Sequence, residues 1–344
     1  MKTAEVHILT QKNEQKWDNF VSRTEGATFF HRIGWKNVVE KTYRHKAYYF
    51  FTEDESGEIT GVLPLFSIKS LIFGEKMVSL PFAPYGGVCA TDESAASSLV
   101  AEAISRSESL GKKYIELRSF NERPYPGFSC MQGYSTFIVD VHQDEKELWQ
   151  NIGKKNRNMI RKGVKSGLIY GWKEESSALS EFYQVYTENI SAMGTPSHSF
   201  DFFKAVYNQF PGDIAIAEVT FKNEPVASLL LLCFKERMIS GWGGSLPDAL
   251  AYAPNNFLYW YSLLAARQKG YTFFDFGRSL EGTGNYHFKR HWGAIEHPLK
   301  HWYYPGDRDI RPPQEHYEFF AQLWKHVPVS INRRIGPMIR RFVL

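Results

Sequence analysis

The hydrophobic residues of this chain follow two periods, one typical of strands and one typical of helices, and the order of these periods occurs twice. In residues 57–119, alternating apolar and polar positions precede a helical stretch that ends at a glycine, and a short apolar strand follows. In residues 221–279, the same three patterns follow in the same order. A glycine directly after a helical period is typical of a helix C-terminus. The pattern therefore predicts an α/β chain built from one unit that is used twice.

The two copies also match at individual residues. Glu116 corresponds to Asp275 at an offset of 159 residues, and Tyr85-Gly86-Gly87 corresponds to Trp242-Gly243-Gly244 at an offset of 157. A further helical stretch precedes each copy, so the predicted order in each half is helix, antiparallel strands, helix and strand. This is the element order of a GNAT fold. We therefore predict an α/β (α+β) protein with two tandem GNAT-like domains.

The repeat also sets the expected domain boundaries. We predict an N-terminal domain at residues 1–141, a C-terminal domain at 142–306 and a basic extension at 307–344, without a coiled-coil insertion. Two halves of one origin usually pack side by side and form a cleft, which is where small-molecule sites tend to lie. We expect the substrate in this cleft.

Composition and charge narrow the class of protein. The 344 residues carry a net charge of +4, and the three cysteines are too far apart in sequence for a zinc site or a disulfide framework. The chain has no apolar run of about 18 residues, and its first residues lack the apolar core of a signal peptide. We therefore expect a cytoplasmic protein in a reducing compartment.

Residues 153–173 contain a run of cations without acids. On a helix, positions 154, 157, 161 and 165 fall on one stripe. Such a stripe fits a diphosphate, a tRNA acceptor stem or an anionic membrane surface; the alternative is an ordinary solvated face. We expect Arg157, Arg161 and Lys162 to bind an anionic part of the substrate.

Glycines and cations are concentrated directly after the last predicted strand. Gly282 and Gly284 allow the backbone to approach a ligand closely, and Arg278 and Lys289 bring positive charge to the same segment. Acyl transfer to an amine or hydroxyl develops an oxyanion, which fixed cations stabilise. We predict that Lys289 stabilises this oxyanion with Arg278 nearby. The alternative is a tight hairpin with ordinary turn glycines.

The same segment suggests a base and a metal pair. Asp275 and Glu281 are candidates for the general base, but Asp275 lies in a strand, and holding Arg278 is its alternative role. His287 and His291 are spaced for a metal on a helix, yet the zinc motif lacks its glutamate and its third ligand. We therefore expect no metal.

Two weaker patterns concern ligand binding. Arg278, Gly282 and Gly284 resemble the pyrophosphate loop of acetyl-CoA users, but their spacing is one residue longer. Tyr85 and Trp242 each precede two glycines after a strand, which suits either a bend against a ligand or a structural bulge. We retain both aromatic residues as substrate-binding candidates.

The chain ends in a basic amphipathic tail after Val327. Ile331, Ile335 and Ile339 share one side of a helix, arginines occupy other positions, and Pro337 is expected to interrupt the helix. Such a tail is typical of peripheral contact with an anionic membrane, here the inner face of the cytoplasmic membrane. A helix or strand packed on the second domain is the alternative.

Several motifs between about residues 29 and 304 resemble the Fem-like proteins that accompany exosortase/PEP-CTERM and exopolysaccharide loci. These motifs are SLPFAPYGG, KKNRNMIRKGVKSGL, MGTPSHSFDFF, NNFLYWYSLLAARQKGYTFFDFGRS and GTGNYHFKRHWG. More distantly, the chain is similar to the Fem peptidoglycan-bridge aminoacyltransferases. Those enzymes have two GNAT-like halves and transfer an amino acid from aminoacyl-tRNA to an amine on a lipid- or UDP-linked peptide.

The resemblance implies a function and roles for particular residues. Phe288-Lys289 is similar to the Phe-Lys pair of the Fem enzymes, in which the lysine steadies the reacting carbonyl. The helix with Arg157 and Arg161 is similar to the basic helix that opens their second half. The resemblance implies an acyltransferase of the cell envelope that has no permanently bound cofactor. Its donor would be acyl-CoA or aminoacyl-tRNA, and its acceptor a nucleotide- or lipid-linked glycan or peptide.

Two other classes stay open at this point. One is a non-catalytic protein that binds tRNA or a glycan precursor, and the other is a peripheral membrane scaffold of an exopolysaccharide system. The catalytic candidates are Lys289, Arg278 and Asp275. The substrate-binding candidates come from the basic helix, the glycine-rich segment, the repeated aromatic positions and the NNF motif; they are Arg157, Arg161, Lys162, Tyr85, Trp242, Asn256, Gly282, Gly284, Tyr286, His287 and Phe288.

Overall fold

The structure is a computed structural model that describes residues 4–70, 74–120, 124–307 and 320–342. The strands in these ranges are Val6–Ile8 (β1), Lys46–Glu53 (β2), Ile59–Ser70 (β3), Gly74–Val78 (β4), Cys89–Ala90 (β5), Tyr114–Ser119 (β6), Ser129–Asp140 (β7), Ile169–Lys173 (β8), Ile214–Phe221 (β9), Glu224–Phe234 (β10), Arg237–Ser245 (β11), Phe273–Asp275 (β12), Ser279–Leu280 (β13) and Ile295–Tyr304 (β14). The α-helices are Glu14–Arg23 (α1), Ile33–Tyr43 (α2), Glu93–Ser109 (α3), Glu145–Asn151 (α4), Lys154–Lys165 (α5), Leu179–Ala192 (α6), Phe200–Gln209 (α7), Pro254–Gln268 (α8), Gly284–Arg290 (α9) and Val329–Arg340 (α10).

The chain forms two compact units, and neither is continuous in sequence. Within the described ranges, the first unit contains residues 4–133, 298–307 and 341–342, and the second contains residues 134–297 and 320–340. The linear domain boundaries expected after residues 141 and 306 stay a prediction, and so does the cleft.

The first unit is built on a mixed sheet in the order β1-β2-β3-β4-β6-β14, with β5 beside β3. Strands β4 and β6 are parallel, and their pairing ends with Val78 opposite Glu116. Helix α3 connects these two strands, because a parallel pair needs a crossover connection. The helix begins where the Asp92 side chain accepts a hydrogen bond from the Ala95 amide, and it is followed by Gly111 at a φ of 61°.

The second unit repeats this arrangement in the order β7-β12-β11-β10-β9-β8, with β13 beside β7. Strands β11 and β12 are parallel, and their pairing ends with Ile239 opposite Asp275. Helix α8 connects them and is followed by Gly270 at a φ of 83°. Asp275 therefore occupies the position that Glu116 has in the first unit. The predicted repeat of a GNAT-like unit is confirmed.

The hydrophobic core of the second unit lies between its sheet and helices α5 and α8. Leu231 of β10, Phe274 of β12 and Leu263 of α8 are fully buried in it, together with Trp292 after α9. Gly163 allows α5 to lie close to α8, since a Cβ there would meet the Phe257 side chain at 3.0 Å. The basic helix α5 is thus anchored by one face and presents its cations on the other.

The buried side chain of Asn332 holds helix α10 on the second unit, and Arg333 Nε donates to Thr187 Oγ1 at 2.9 Å. Asn332 donates to Ser191 Oγ at 2.7 Å and to the Thr195 carbonyl at 3.1 Å, and its Oδ1 accepts from the Ser197 amide at 2.9 Å. An amide that satisfies its donors and its acceptor in this way fixes both the position and the rotation of the helix.

Pro337 does not interrupt helix α10, contrary to the sequence-based expectation. The helix runs through the proline to Arg340. The missing N–H of a proline removes one hydrogen bond to the residue four positions earlier, here in the last turn of the helix. Packing of the preceding turn through Asn332 and Gly336 outweighs this loss. Among the described residues, no helix combines the length and the apolar character needed to cross a membrane.

Candidate functional site

The carboxylate of Asp275 ends strand β12 and organises the turn that follows. Its Oδ1 accepts hydrogen bonds from the Gly277 amide at 2.8 Å and from Thr136 Oγ1 at 2.5 Å. Its Oδ2 lies 3.5 Å from Arg237 Nη1. The side chain is fully buried. These contacts fix the backbone at the point where β12 passes into the glycine-rich segment.

The ammonium group of Lys289 points into the same turn from helix α9. Its Nζ donates to the Gly277 carbonyl at 2.9 Å and to the Arg278 carbonyl at 3.3 Å. Only 8% of the residue is exposed. An ammonium has three N–H donors, and these two carbonyls use two of them. The third can donate to an oxygen atom of a ligand.

Burial lowers the pKa of Lys289 to about 8, because an ammonium loses hydration in the interior. The negative charge of Asp275 opposes this effect, and the positive charge of Arg278 adds to it. The group is therefore mainly protonated at neutral pH. A protonated donor with a lowered pKa suits the stabilisation of a developing oxyanion, and such shifts are typical of functional sites.

The lowered pKa predicts a pH-dependent stability. Between pH 8 and 10.5, the unfolded chain still binds a proton on Lys289 that the folded chain has released. The free energy of unfolding of the wild type should therefore rise with pH in this window, by about 1–3 kcal/mol relative to Lys289→Met. Urea unfolding of both proteins at several pH values measures the difference. Lys204→Met, at an exposed position of α7, is the matched control, and identical pH slopes for wild type and Lys289→Met would contradict the prediction.

Strand β11 presents a backbone edge next to this turn. Its pairing with β12 ends at Ile239, whereas its pairing with β10 continues to Ser245 across a bulge at Gly241. The turn and the strand approach closely, since a Cβ on Gly277 would lie 2.9 Å from the Ser240 carbonyl. Beyond Ile239, β11 thus extends past the end of β12. Backbone N–H and C=O groups on such an edge can pair with an extended ligand.

An aromatic cluster adjoins the same turn. The ring of Tyr259 lies 5.0 Å from that of Phe276 and 5.5 Å from that of Phe288, measured between centroids. Its hydroxyl is 3.2 Å from Ser240 Oγ, and the Phe288 ring lies 5.7 Å from that of Trp292. The predicted Phe288 therefore supports Lys289 by fixing α9 on the core of the unit.

Tyr286 is connected to an acid that the sequence did not single out. Its hydroxyl donates to the Glu296 carboxylate, at 2.9 and 3.1 Å from the two oxygens, and this carboxylate also accepts from Ser135 Oγ at 2.7 Å. The bond to Glu296 raises the pKa of Tyr286. Thr283 caps the start of α9 by accepting from the Tyr286 amide. Tyr286 thus helps to orient the helix that carries Lys289.

The remaining candidates of this segment lie nearer to solvent. Gly282, Gly284 and His287 are exposed, and Arg278 is half-buried with its guanidinium carbon 4.7 Å from the ring centre of Tyr134. Gly284 is the first residue of α9. The structure thus brings Asp275, Arg278 and Lys289 together and places the glycines at the surface beside them.

The cations of α5 divide between structural and exposed positions. Arg157 donates to the carbonyls of Trp149 and Gln150 at the end of α4, at 3.3 and 3.1 Å. The guanidinium carbon of Arg161 lies 5.2 Å from the ring centre of Trp149, and Lys162 is exposed. Arg157 therefore contributes to the junction of the two helices, whereas the Arg161 and Lys162 side chains face solvent.

Asn256 belongs to a polar connection between α8, α5 and the end of α9. Its amide donates to Asn156 Oδ1 at 3.1 Å, and the Asn156 amide donates to the His291 carbonyl at 3.2 Å. The amide of Gly153 donates to the same carbonyl at 2.9 Å. The start of the basic helix is thereby tied to the residues that follow Lys289.

Of the two repeated aromatic residues, Tyr85 is buried in the first unit and Trp242 is half-buried in the second. Tyr85 is 1% exposed, with its ring 4.2 Å from that of Phe120, so it serves the core of the first unit. Trp242 packs against His198, Phe202 and Phe203. A bulge is present next to Trp242, which agrees with the structural reading of this motif.

Within the described ranges, no group of three or more histidine, cysteine, aspartate or glutamate side chains could hold a metal ion.

Sequence reasoning missed Tyr259, Ser240 and Glu296. The aromatic run in NNFLYWYSLL was a signal for Tyr259. Glu296 carried no signal, because its partners Ser135 and Tyr286 are distant from one another in sequence.

A comparison with known protein families matches the part of the chain that contains the turn after β12. The model of the acetyltransferase (GNAT) domain matches residues 151–290, which include Asp275, Arg278 and Lys289. The chain carries a GNAT acyltransferase domain. The matched range begins just before the basic helix α5 and ends at the last residue of α9. A search of curated proteins gives no match.

Solved structures share the fold of the whole chain. The crystal structure of FemX superposes with a TM-score of 0.68 at 15% identity, over 92% of this chain and 100% of FemX. The C-terminal domain of a putative lysylphosphatidylglycerol synthetase from Agrobacterium fabrum gives 0.57 at 14% identity, over 94% and 96%. A tandem GNAT protein from the clavulanic acid biosynthesis pathway gives 0.56 at 7% identity, over 90% and 99%.

These findings confirm the predicted GNAT domain over residues 151–290 and the two tandem GNAT-like domains, and the chain shares its fold with FemX. The similarity to FemX concerns the fold, and the association with exosortase loci stays a prediction. The match over residues 151–290 supports an acyltransferase.

Proposed function

We propose that the protein transfers an acyl or aminoacyl group to an amine or hydroxyl of a cell-envelope glycan or peptidoglycan precursor. The observation that carries this proposal is the buried Lys289 ammonium at the end of β12 in the GNAT domain. Two of its three N–H groups are used by the Gly277 and Arg278 carbonyls, it points from α9 into the turn after β12, and that turn adjoins β11 where this strand extends past β12. These are the requirements of a preorganised oxyanion site.

In the proposed reaction, an amine or hydroxyl of the acceptor attacks the carbonyl carbon of the donor. The carbonyl oxygen becomes an oxyanion, and Lys289 donates a hydrogen bond to it. The tetrahedral intermediate collapses as the bond to the coenzyme A sulfur or to the ribose oxygen of tRNA breaks. The proton lost by the nucleophile ends on that sulfur or oxygen, so that a free thiol or hydroxyl leaves. Asp275 holds the turn that positions Lys289, because its carboxylate already accepts from Gly277 and Thr136.

The donor class follows from a direct assay. The purified chain is incubated with acetyl-CoA or with alanyl-tRNA, each in the presence of a UDP-linked muramoyl pentapeptide or a UDP-linked amino sugar, and the acceptor is examined by mass spectrometry. The proposal expects a mass increase in the acceptor with at least one donor. Absence of acyl transfer in all four combinations, with folded protein, would argue for the non-catalytic binding protein instead.

We further propose that α10 brings the enzyme to an anionic membrane surface. Ile331, Ile335 and Met338 recur at helical spacing and are exposed, Met338 by 66%, while Arg334 lies exposed beside them. The opposite side of the helix is held by Asn332. An apolar stripe with flanking cations on an otherwise docked helix is typical of interfacial binding.

The double variant Ile335→Glu/Met338→Glu should therefore lose at least about tenfold of its binding to phosphatidylglycerol vesicles, because carboxylates replace the inserted side chains. Co-sedimentation with phosphatidylglycerol and phosphatidylcholine vesicles measures this, at low and high salt. The matched control is Ile169→Glu/Leu250→Glu, which changes two apolar side chains exposed elsewhere on the second unit. Equal binding by both double variants would exclude α10 as the membrane contact.

A further inference from the structure

A surface groove of about 660 Å³ lies between α4, α5 and α8 of the second unit. This volume is in the range of small-molecule sites, about 300–1,000 Å³. Its walls include Trp149, Trp260, Tyr261 and Val164. The indole rings of Trp149 and Trp260 meet edge to face, with centroids 5.0 Å apart. The groove is thus a rigid aromatic surface and lies within the GNAT domain or directly beside it.

Three of the apolar or aromatic side chains that line the groove are accessible. Val164 is 53% exposed on a helix whose other exposed residues are mainly cations and polar groups. Trp149 and Tyr261 are only half-buried. Leaving such side chains in contact with water is unfavourable, so covering them with an apolar group would be favourable.

Positive charge is concentrated on the rim of the groove. Arg161, Lys165 and Lys146 border it, and Glu145 is the acid among its lining residues. Arg161 and Lys165 lie one turn apart on α5. The guanidinium of Arg161 rests 5.2 Å from the ring centre of Trp149, so its position is defined. The rim therefore suits an anionic group whose attached part lies on the aromatic surface.

The lining distinguishes an aliphatic chain from a nucleobase. Among the uncharged side chains that line the groove, the Tyr261 hydroxyl is the group that can accept a hydrogen bond. The two indole groups can only donate. The edge of a base needs several donors and acceptors to be bound specifically, whereas an aliphatic chain needs none. An amphiphile with an apolar chain and a phosphate head matches both the walls and the rim.

We propose that this groove binds the apolar chain of a lipid phosphate, with the phosphate on Arg161 and Lys165. This inference rests on the proposed function and extends it, because it assigns a lipid-linked acceptor to the enzyme. Helix α5 supports this link, because the amides of Gly153 and Asn156 at its start donate to the carbonyl of His291, two residues after Lys289. One helix thus connects the groove to the site of the buried ammonium.

Dodecyl phosphate, below its micellar concentration, is a soluble probe for this site. Binding is followed by calorimetry and by the intrinsic tryptophan fluorescence, to which Trp149 and Trp260 contribute, with inorganic phosphate, dodecyl maltoside and uridine monophosphate as comparison ligands. Dodecyl phosphate should bind at least about tenfold more tightly than each of the other three, since it alone uses walls and rim together. Equal or tighter binding of inorganic phosphate would mean that the groove binds only the anion, which would overturn the inference. Tighter binding of the nucleotide would replace the lipid by a nucleotide ligand.

Variants separate the two parts of the groove. Val164→Glu should weaken both dodecyl phosphate and dodecyl maltoside at least about tenfold, whereas Arg161→Ala/Lys165→Ala should weaken dodecyl phosphate alone. The matched controls are Ile169→Glu and Lys204→Ala, at exposed positions outside the groove. Unchanged binding by Val164→Glu would overturn the inference.

The same experiment keeps the two proposals apart. Lys289→Met should bind dodecyl phosphate as the wild type does, because Lys289 does not line the groove. If the groove variants bind normally while Lys289→Met has lost acyl transfer, the lipid inference fails and the enzymatic proposal stands. If Lys289→Met keeps acyl transfer while the groove variants lose binding, the proposed role of Lys289 fails and the groove stands.

Discussion

Lys289→Met is expected to lower kcat/KM for acyl transfer by about 10²–10³-fold, the usual effect of removing one donor from an oxyanion site. Methionine keeps much of the volume of the lysine side chain but carries no N–H group. The donor that we assign to the oxyanion is then missing, while the β11 edge and the aromatic cluster around Tyr259 remain in place. Steady-state kinetics with the donor–acceptor pair found in the transfer assay measure the effect.

The same change also affects folding, so activity must be compared at equal amounts of folded protein. The carbonyls of Gly277 and Arg278 lose their described donor, which costs about 1–3 kcal/mol if both stay buried. The buried positive charge disappears at the same time, which offsets part of this cost. Thermal unfolding gives the folded fraction.

Two further variants identify the cause of a loss in activity. Lys289→Arg keeps the charge but is larger and planar, so it should recover only part of the activity. Lys204→Met removes an exposed lysine from the same unit and should leave kcat/KM unchanged. Activity of Lys289→Met within about twofold of the wild type would remove Lys289 from the proposed mechanism.

Glu116→Gln is expected to produce the largest change in stability, a loss of about 3–5 kcal/mol in the free energy of unfolding. Glu116 is buried in the first unit, 3.1 Å from Lys76 Nζ and 2.7 Å from Arg118 Nε, and its Oε1 lies 3.6 Å from His301 Nδ1. Glutamine has nearly the same shape but no charge. The variant therefore leaves buried cations without their counter-charge.

The pKa of Glu116 reflects the same balance. Burial raises this pKa, but the charges of Arg118, Lys76 and His301 outweigh burial and hold it well below its usual range. The stabilising contribution is therefore present above the unfolded value of 4.5 and is lost as the pH falls below it. The difference between wild type and Glu116→Gln should shrink in acid.

Chemical denaturation at neutral pH tests this prediction. The matched control is Glu102→Gln, which breaks a partly exposed pair with Arg106 on α3 and should cost no more than about 0.5 kcal/mol. A loss of similar size in both variants would mean that the cluster around Glu116 is not held together by its charges.

The comparison of Glu116 with Asp275 shows how the two copies of the repeat differ. In both units the acid ends the pairing of two parallel strands. It contacts a cation on the partner strand, two residues before the last paired position: Lys76 in the first unit and Arg237 in the second. Among the described residues, the turn at Gly277 and the Lys289 ammonium belong to the second copy. The first copy is thus a structural salt bridge, and the second is the candidate active site.

Local patterns were sufficient for the repeat, the basic helix and the segment that carries Lys289. Hydrophobic period, a following glycine and the clustering of cations depend on residues near in sequence, so α3, α5 and α8 could be predicted from the chain. The same information placed Lys289 and Arg278 in the segment that follows β12. It could not show that Tyr85 serves a core or that Arg157 is hydrogen-bonded to the end of α4.

Tertiary packing settled the rest, because it depends on residues that are distant in sequence. The sheet of the first unit is completed by β14, from the far end of the chain, and that of the second by β7, which precedes the basic helix. The groove exists because Trp149 and Trp260, on separate helices, meet edge to face. The burial that lowers the pKa of Lys289 has the same origin. A one-dimensional pattern contains no information about which distant faces will be in contact, and therefore none about the environment that gives a side chain its chemistry.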